Sequence, residues 1–102
     1  MRIYIAGKVT GSPDYLARFS EAEEWLRSEV DEVVNPVRIM AELPETTTYE
    51  EYIHTGLEML RSCEAIYMLQ DWEDSKGATL ERQYALTLGK AVFYERAENE
   101  LG

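Results

Sequence analysis

The chain has 102 residues, 45% of them hydrophobic and 29% charged, which is enough for one packed domain over residues 1–102 and too few for two. Twenty acidic residues against ten basic ones leave a net charge of −10, a field that repels nucleic-acid backbones and anionic lipid and predicts neither as a partner. One cysteine, Cys63, and one histidine, His54, exclude an internal disulfide and a Cys/His zinc set, so no metal is expected.

Met1 leads straight into Arg2-Ile3-Tyr4-Ile5-Ala6 without a basic-then-apolar leader, and no run approaches the roughly 20 apolar residues that span a bilayer. A cytoplasmic protein is the expectation. Ile3-Tyr4-Ile5-Ala6 is an apolar run stopped by Gly7, the pattern of a strand buried on both faces. Gly7-Lys8-Val9-Thr10-Gly11 forms a loop, and Ser12-Pro13 supplies a cap and a first-turn proline for a helix. Leu16, Phe19, Ala22, Leu26 and Val30 then recur at three and four residues as its apolar stripe, widened by Trp25, with Glu21, Glu23, Glu24 and Arg27 covering the rest.

Glu32-Val33-Val34 reads as a second short strand, ended by Asn35-Pro36. Val37 to Thr48, with Pro44 and three threonines, reads as a loop with room for a short helix. Tyr49, Tyr52, Ile53, Leu57 and Leu60 have helical spacing, and Ala65-Ile66-Tyr67-Met68-Leu69 is a third strand. The acidic loop Asp71 to Gly77 precedes a helix carrying Leu80, Tyr84, Ala85 and Leu88, closed by Gly89. Ala91-Val92-Phe93-Tyr94 is the fourth strand, and the polar tail from Glu95 to Gly102 reads as a frayed end or a surface turn. Alternating strands and helices give an α/β, Rossmann-like (flavodoxin-like) parallel sheet of about four strands with helices on both faces.

In such a sheet ligands bind where loops leave the carboxyl ends of the strands. The first loop offers Gly7 and Gly11 for close backbone approach, with the donors of Lys8, Thr10 and Ser12 at a helix start that favours an anion. A phosphate or a ribose fits there; two glycines making a tight turn explain the same residues. The third loop gathers Trp72, Glu73, Asp74 and Ser75 ahead of Glu81. If the helix starts near Gly77, Leu80 and Tyr84 face the sheet and Glu81 turns toward the rim of the crevice. The helix dipole alone also accounts for an acid near a helix start. Trp72 reads either as a stacking platform for a base or as a loop anchor, while His54 reads as a surface residue and Cys63 as core.

Together, Ile3 to Gly7, Asn35-Pro36, Cys63 to Leu69, Trp72 to Ala78 and Glu81 to Gly89 resemble the nucleoside 2-deoxyribosyltransferase superfamily, most of all its small phage and bacterial members of unknown function. The resemblance runs through Tyr94. It implies that Glu81 is the nucleophile at the anomeric carbon and that Tyr4 holds its carboxylate. Ser75, Gly77 and Glu81 also have the spacing with which the related deoxynucleotide N-hydrolases grip a 5′-phosphate. A carboxylate suits this chemistry because it forms a glycosyl ester, expels the base and is released by water or by a second base. Asp74, Glu73 or Asp71 would supply the acid, and a solvated loop charge accounts for each of them as well. Where those enzymes place an aspartate on the helix before the third strand, this chain has Gly56. The better-known members also continue beyond the fourth strand and lend a residue to the neighbouring subunit.

The resemblance thus implies cleavage or transfer of the N-glycosidic bond of a nucleoside or nucleotide, without a cofactor and in a homo-oligomer, if the chain is an enzyme. Its catalytic set is Glu81, Tyr4 and Asp74, and its substrate-binding set is Gly7, Lys8, Thr10, Gly11, Asn35, Trp72, Ser75 and Gly77. The competing readings are a non-catalytic nucleotide-binding module and a small protein whose acidic face meets a partner. Tyr49 and Tyr52 fit either a subunit contact or the core.

Overall fold

Four short parallel strands make the sheet, in the order β2-β1-β3-β4. In this computed structural model, which describes residues 1–96, they are β1 (Arg2–Ala6), β2 (Glu32–Val34), β3 (Ala65–Met68) and β4 (Ala91–Tyr94). The helices are α1 (Tyr15–Arg27), α2 (Pro36–Met40), α3 (Tyr49–Arg61) and α4 (Lys76–Thr87), with a 3₁₀ turn over Trp72–Asp74. Tail residues 97–102 of the predicted frayed end lie outside the described part. Among the described residues no helix is long and apolar enough to cross a membrane.

The apolar runs of β1 and β3 follow from burial on both faces. Ile3, Ile5, Ala65 and Tyr67 pack with Phe19, Ala22 and Leu26 of α1 on one side. On the other side Tyr4, Ala6, Ile66 and Met68 pack with Leu60 of α3 and Ala78 and Ala85 of α4. Tyr4 pairs with Ile66 in register, so its ring points between α3 and α4. The strand order reverses direction between β1 and β3, which places the crevice there.

Several local expectations are corrected. Helix α1 begins at Tyr15 because Ser12 and Asp14 form a turn: the Ser12 N–H bonds the Val9 carbonyl at 3.1 Å, and the Ser12 hydroxyl donates to Asp14 instead of capping. Leu16 is 57% exposed and Trp25 54% exposed, so neither belongs to the buried stripe, although Trp25 stacks on Tyr67. Glu23, read as a solvated helix face, is buried and accepts from Arg27, Arg38 and the Asn35 amide. Leu80 is 46% exposed; the stripe of α4 that faces inward is Ala78, Glu81 and Ala85, spaced as one helix face.

The helix starts other than that of α1 carry side-chain caps. Thr48 and Glu51 form a reciprocal capping box on α3, and Ser75 accepts from the Ala78 N–H at 3.1 Å on α4. Gly89, at φ +71°, ends α4 in the left-handed conformation that glycine tolerates.

Candidate active site

The loops that leave β1, β2 and β3 surround one cavity of about 1020 Å³. Its lining includes Tyr4, Gly7, Val9 and Thr10 from the β1 side and Val37 and Met40 from α2. Tyr49, Tyr52 and Ile53 come from α3, and Asp74 to Ala78 with Glu81 from the β3–α4 segment. Most of these groups are apolar or aromatic, as in ordinary small-molecule sites.

Glu81 lies on the inward stripe of α4, facing β1, and the Tyr4 hydroxyl donates to its Oε2. Small residues at Ala78 and Ala85 let the helix sit close to the sheet there. Burial pushes the Glu81 carboxyl up to about 7, and the hydrogen bond from Tyr4 offsets only part of that rise. Tyr4 moves well above the usual tyrosine range, first because it is buried and then because the Glu81 charge and hydrogen bond favour the neutral phenol. The phenol therefore keeps its proton, and the carboxyl is held above the usual carboxylate range.

Gly56 completes the arrangement. A Cβ built there would lie 2.8 Å from the Tyr4 hydroxyl and 2.9 Å from Glu81 Oε2. Glycine allows the backbone of α3 to cover the pair, and any side chain would displace it.

Of the residues the sequence predicts, Tyr4, Glu81, Asp74, Gly7, Thr10, Ser75 and Gly77 meet at this cavity. Lys8, Gly11, Asn35 and Trp72 do not line it. Asn35 is buried and committed to structure: its Oδ1 accepts from the Arg38 N–H as the cap of α2, and its Nδ2 donates to Glu23. Trp72 packs beside Tyr94 with the Arg82 guanidinium 4.9 Å from its ring, the loop-anchor alternative. Gly11 serves a turn at φ +80°. Gly7 lines the cavity, but a Cβ there would come within 2.7 Å of Leu69, so packing alone requires glycine.

Asp71 is held in a two-pronged ion pair with Arg18, which outweighs the effect of its burial and keeps its carboxyl below the usual range. It is no reservoir for a proton. Asp74 is the acid of that loop that reaches the cavity. Sequence reasoning missed Gly56 as a neighbour of the pair, along with Lys76, Met40 and the cavity-facing roles of Tyr49 and Tyr52.

The family model described as "Domain of unknown function (DUF4406)" matches residues 1–94. No curated protein matches the chain. Among solved structures, a 2-desoxiribosyltransferase from Leishmania mexicana is similar, with a TM-score of 0.68 and 23% identity over 91% of this chain. The match spans 62% of that protein's length, and the two share a fold.

Proposed function

The chain belongs to the DUF4406 family, and we propose that it cleaves or transfers the N-glycosidic bond of a deoxynucleoside or its 5′-monophosphate, with Glu81 as nucleophile. The observation that carries this reading is the buried Tyr4–Glu81 hydrogen bond facing a ligand-sized cavity. A carboxyl that burial pushes up toward neutrality, oriented by a second group and facing a cavity, is the arrangement by which enzymes tune a reactive carboxyl. The shared fold with a 2-desoxiribosyltransferase supports the same class of chemistry.

In this mechanism the ionised Glu81 attacks C1′ of the sugar. A C–O bond forms, the C1′–N bond breaks, and its electron pair leaves with the base. Asp74, at the cavity wall, gives the departing base its proton. Tyr4 holds Oε2, which fixes the carboxylate and leaves its other oxygen to react. Water or a second base, giving its proton to the now ionised Asp74, then attacks C1′; the ester C1′–O bond breaks and frees Glu81, so hydrolysis and transfer differ only in the acceptor.

Ser75, Lys76 and the start of α4 form the end of the cavity suited to a 5′-phosphate. The Ser75 oxygen accepts from Ala78, and its hydroxyl hydrogen remains available to donate. Charge-assisted bonds of this kind contribute about 1.5–3 kcal/mol each, so a monophosphate should bind more tightly than its nucleoside.

A second reading is a nucleotide-binding module without turnover. It is favoured by Gly56, which stands where the resembled enzymes carry an aspartate. Incubation with a panel of deoxynucleosides and monophosphates separates the two, with free base as the readout and Glu81→Gln as the control. Base release by the wild type and none by folded Glu81→Gln supports the enzyme. Tight binding with no base released from any substrate leaves the binding module, and equal release by both proteins removes Glu81 from the mechanism.

A further inference from the structure

We propose that Arg18 and Asp71 are positioning residues that set the spacing of the two cavity loops from outside the cavity, an inference that rests on the functional reading above. Arg18 lies on α1 and Asp71 just after β3. The guanidinium donates through Nη1 to Oδ2 at 2.5 Å and through Nη2 to Oδ1 at 3.0 Å. Neither residue lines the cavity.

The pair ties together both loops that do. On the β1 side, Arg18 Nη1 reaches the Ser12 hydroxyl at 3.5 Å and the Lys8 N–H approaches Asp71 Oδ1 at 3.5 Å. Ser12 closes a turn on the Val9 carbonyl, and Val9 and Thr10 face the cavity. On the β3 side Asp71 opens a hydrogen-bonded turn. The Asp74 N–H bonds the Asp71 carbonyl at 3.0 Å, and the Ser75 N–H bonds the Trp72 carbonyl at 3.0 Å. Ser75 in turn caps α4. A displacement of Asp71 therefore passes through this turn to Asp74, Ser75 and the first residues of α4.

The geometry separates this pair from the surface ion pairs of the chain. Its side chains are only 23% and 26% exposed, and the fork is two-pronged, so it resists screening and specifies direction as well as distance. The surface pair Arg61–Glu58, on one helix, links no separate elements.

The test uses the full chain with Arg18→Lys, which keeps the charge but not the fork, together with Arg18→Ala and Asp71→Asn. Two readouts are taken where each protein is folded by circular dichroism. One is amide hydrogen exchange at Asp74 and Ser75 in the free protein, and the other is KM, or the calorimetric Kd, for a deoxynucleoside monophosphate. We expect exchange at those two amides to rise while β1 and β3 stay protected, and affinity to fall at least fivefold. Arg18→Ala combined with Asp71→Asn should add nothing beyond either change alone, since both break one link. Unchanged exchange, or affinity within twofold of wild type in the folded single variants, overturns the proposal. Raised exchange in a protein whose wild type binds no nucleoside or nucleotide upholds the link between the loops and overturns the nucleotide reading instead.

Discussion

The Tyr4 hydroxyl and the Glu81 carboxylate, 77 positions apart in the chain, share a hydrogen bond between the first strand and the last helix. Tyr4→Phe removes the donor and nothing else of size. A hydrogen bond to a charged group contributes about 1.5–3 kcal/mol, so base release should fall about 10- to 100-fold in kcat/KM. The midpoint of its pH dependence should also move above that of the wild type, because the lost bond was holding the Glu81 carboxyl down. A Tyr4→Phe protein with wild-type rate and midpoint would remove Tyr4 from the site.

The titration of Glu81 has opposite consequences for activity and stability. On the proposed mechanism nucleophilic attack needs the ionised form, so the limb of kcat/KM that Glu81 governs should rise with pH, with a midpoint near 7. Folding shows the reverse sign. The carboxyl is raised from 4.5 to about 7, so the folded state holds the proton more tightly than the unfolded chain. The resulting stabilisation is full below 4.5 and is lost as the pH climbs through about 7, amounting to about 3 kcal/mol by linkage. Glu81→Gln cannot ionise. Its stability in urea titrations should therefore exceed that of the wild type at pH 8, with the difference shrinking toward pH 5. Equal stability at both values would mean that the carboxyl is not desolvated.

Gly56→Ala tests the close approach of α3. The added methyl meets the Tyr4 hydroxyl at 2.8 Å and Glu81 Oε2 at 2.9 Å, both inside contact distance. Overpacking of this kind costs about 1–3 kcal/mol, and relief by moving the carboxylate breaks its bond to Tyr4. We expect lower thermal stability and a loss of base release at least as large as that of Tyr4→Phe. Gly89→Ala, at a positive φ with open space around it, supplies the control: stability should fall with kcat/KM unchanged.

Asn35→Ala distinguishes a cap from a ligand contact. The side chain holds the first turn of α2 and bonds Glu23, so its loss should cost about 0.5–2 kcal/mol in chemical denaturation. A drop in nucleotide affinity with no change in stability would restore the ligand-binding role that the sequence suggested.

The strands could be read from the sequence because each is a short apolar run bounded by glycine, proline or a polar loop. Burial on both faces produces that pattern in β1 and β3, whereas the edge strands β2 and β4 stay half-buried or exposed. The parallel order followed from the alternation with helices, and Ser75 stood out as a residue ahead of a helix. The family resemblance had already paired Tyr4 with Glu81. Periodicity alone pointed Glu81 to the rim, since Leu80 and Tyr84 looked like the buried stripe; Tyr84 does pack on the core, but Leu80 is exposed and the buried positions of that helix are Ala78 and Ala85. A single leucine is tolerated on an exposed helix face, whereas an alanine gives no apolar signal strong enough to mark a core.

Asn35 and Glu23 mislead for a related reason. A polar residue that finds its partners 12 or 15 positions away can be buried, and local pattern carries no trace of that pairing. What the sequence determined by itself was the set of elements, their order and the residue types at the carboxyl edge, because these depend on neighbours within a few positions. Only the tertiary structure decided which groups meet. Tyr4, Gly56 and Glu81 come from three separate elements, and the raised carboxyl, the shared hydrogen bond and the excluded side chain all arise where those elements pack.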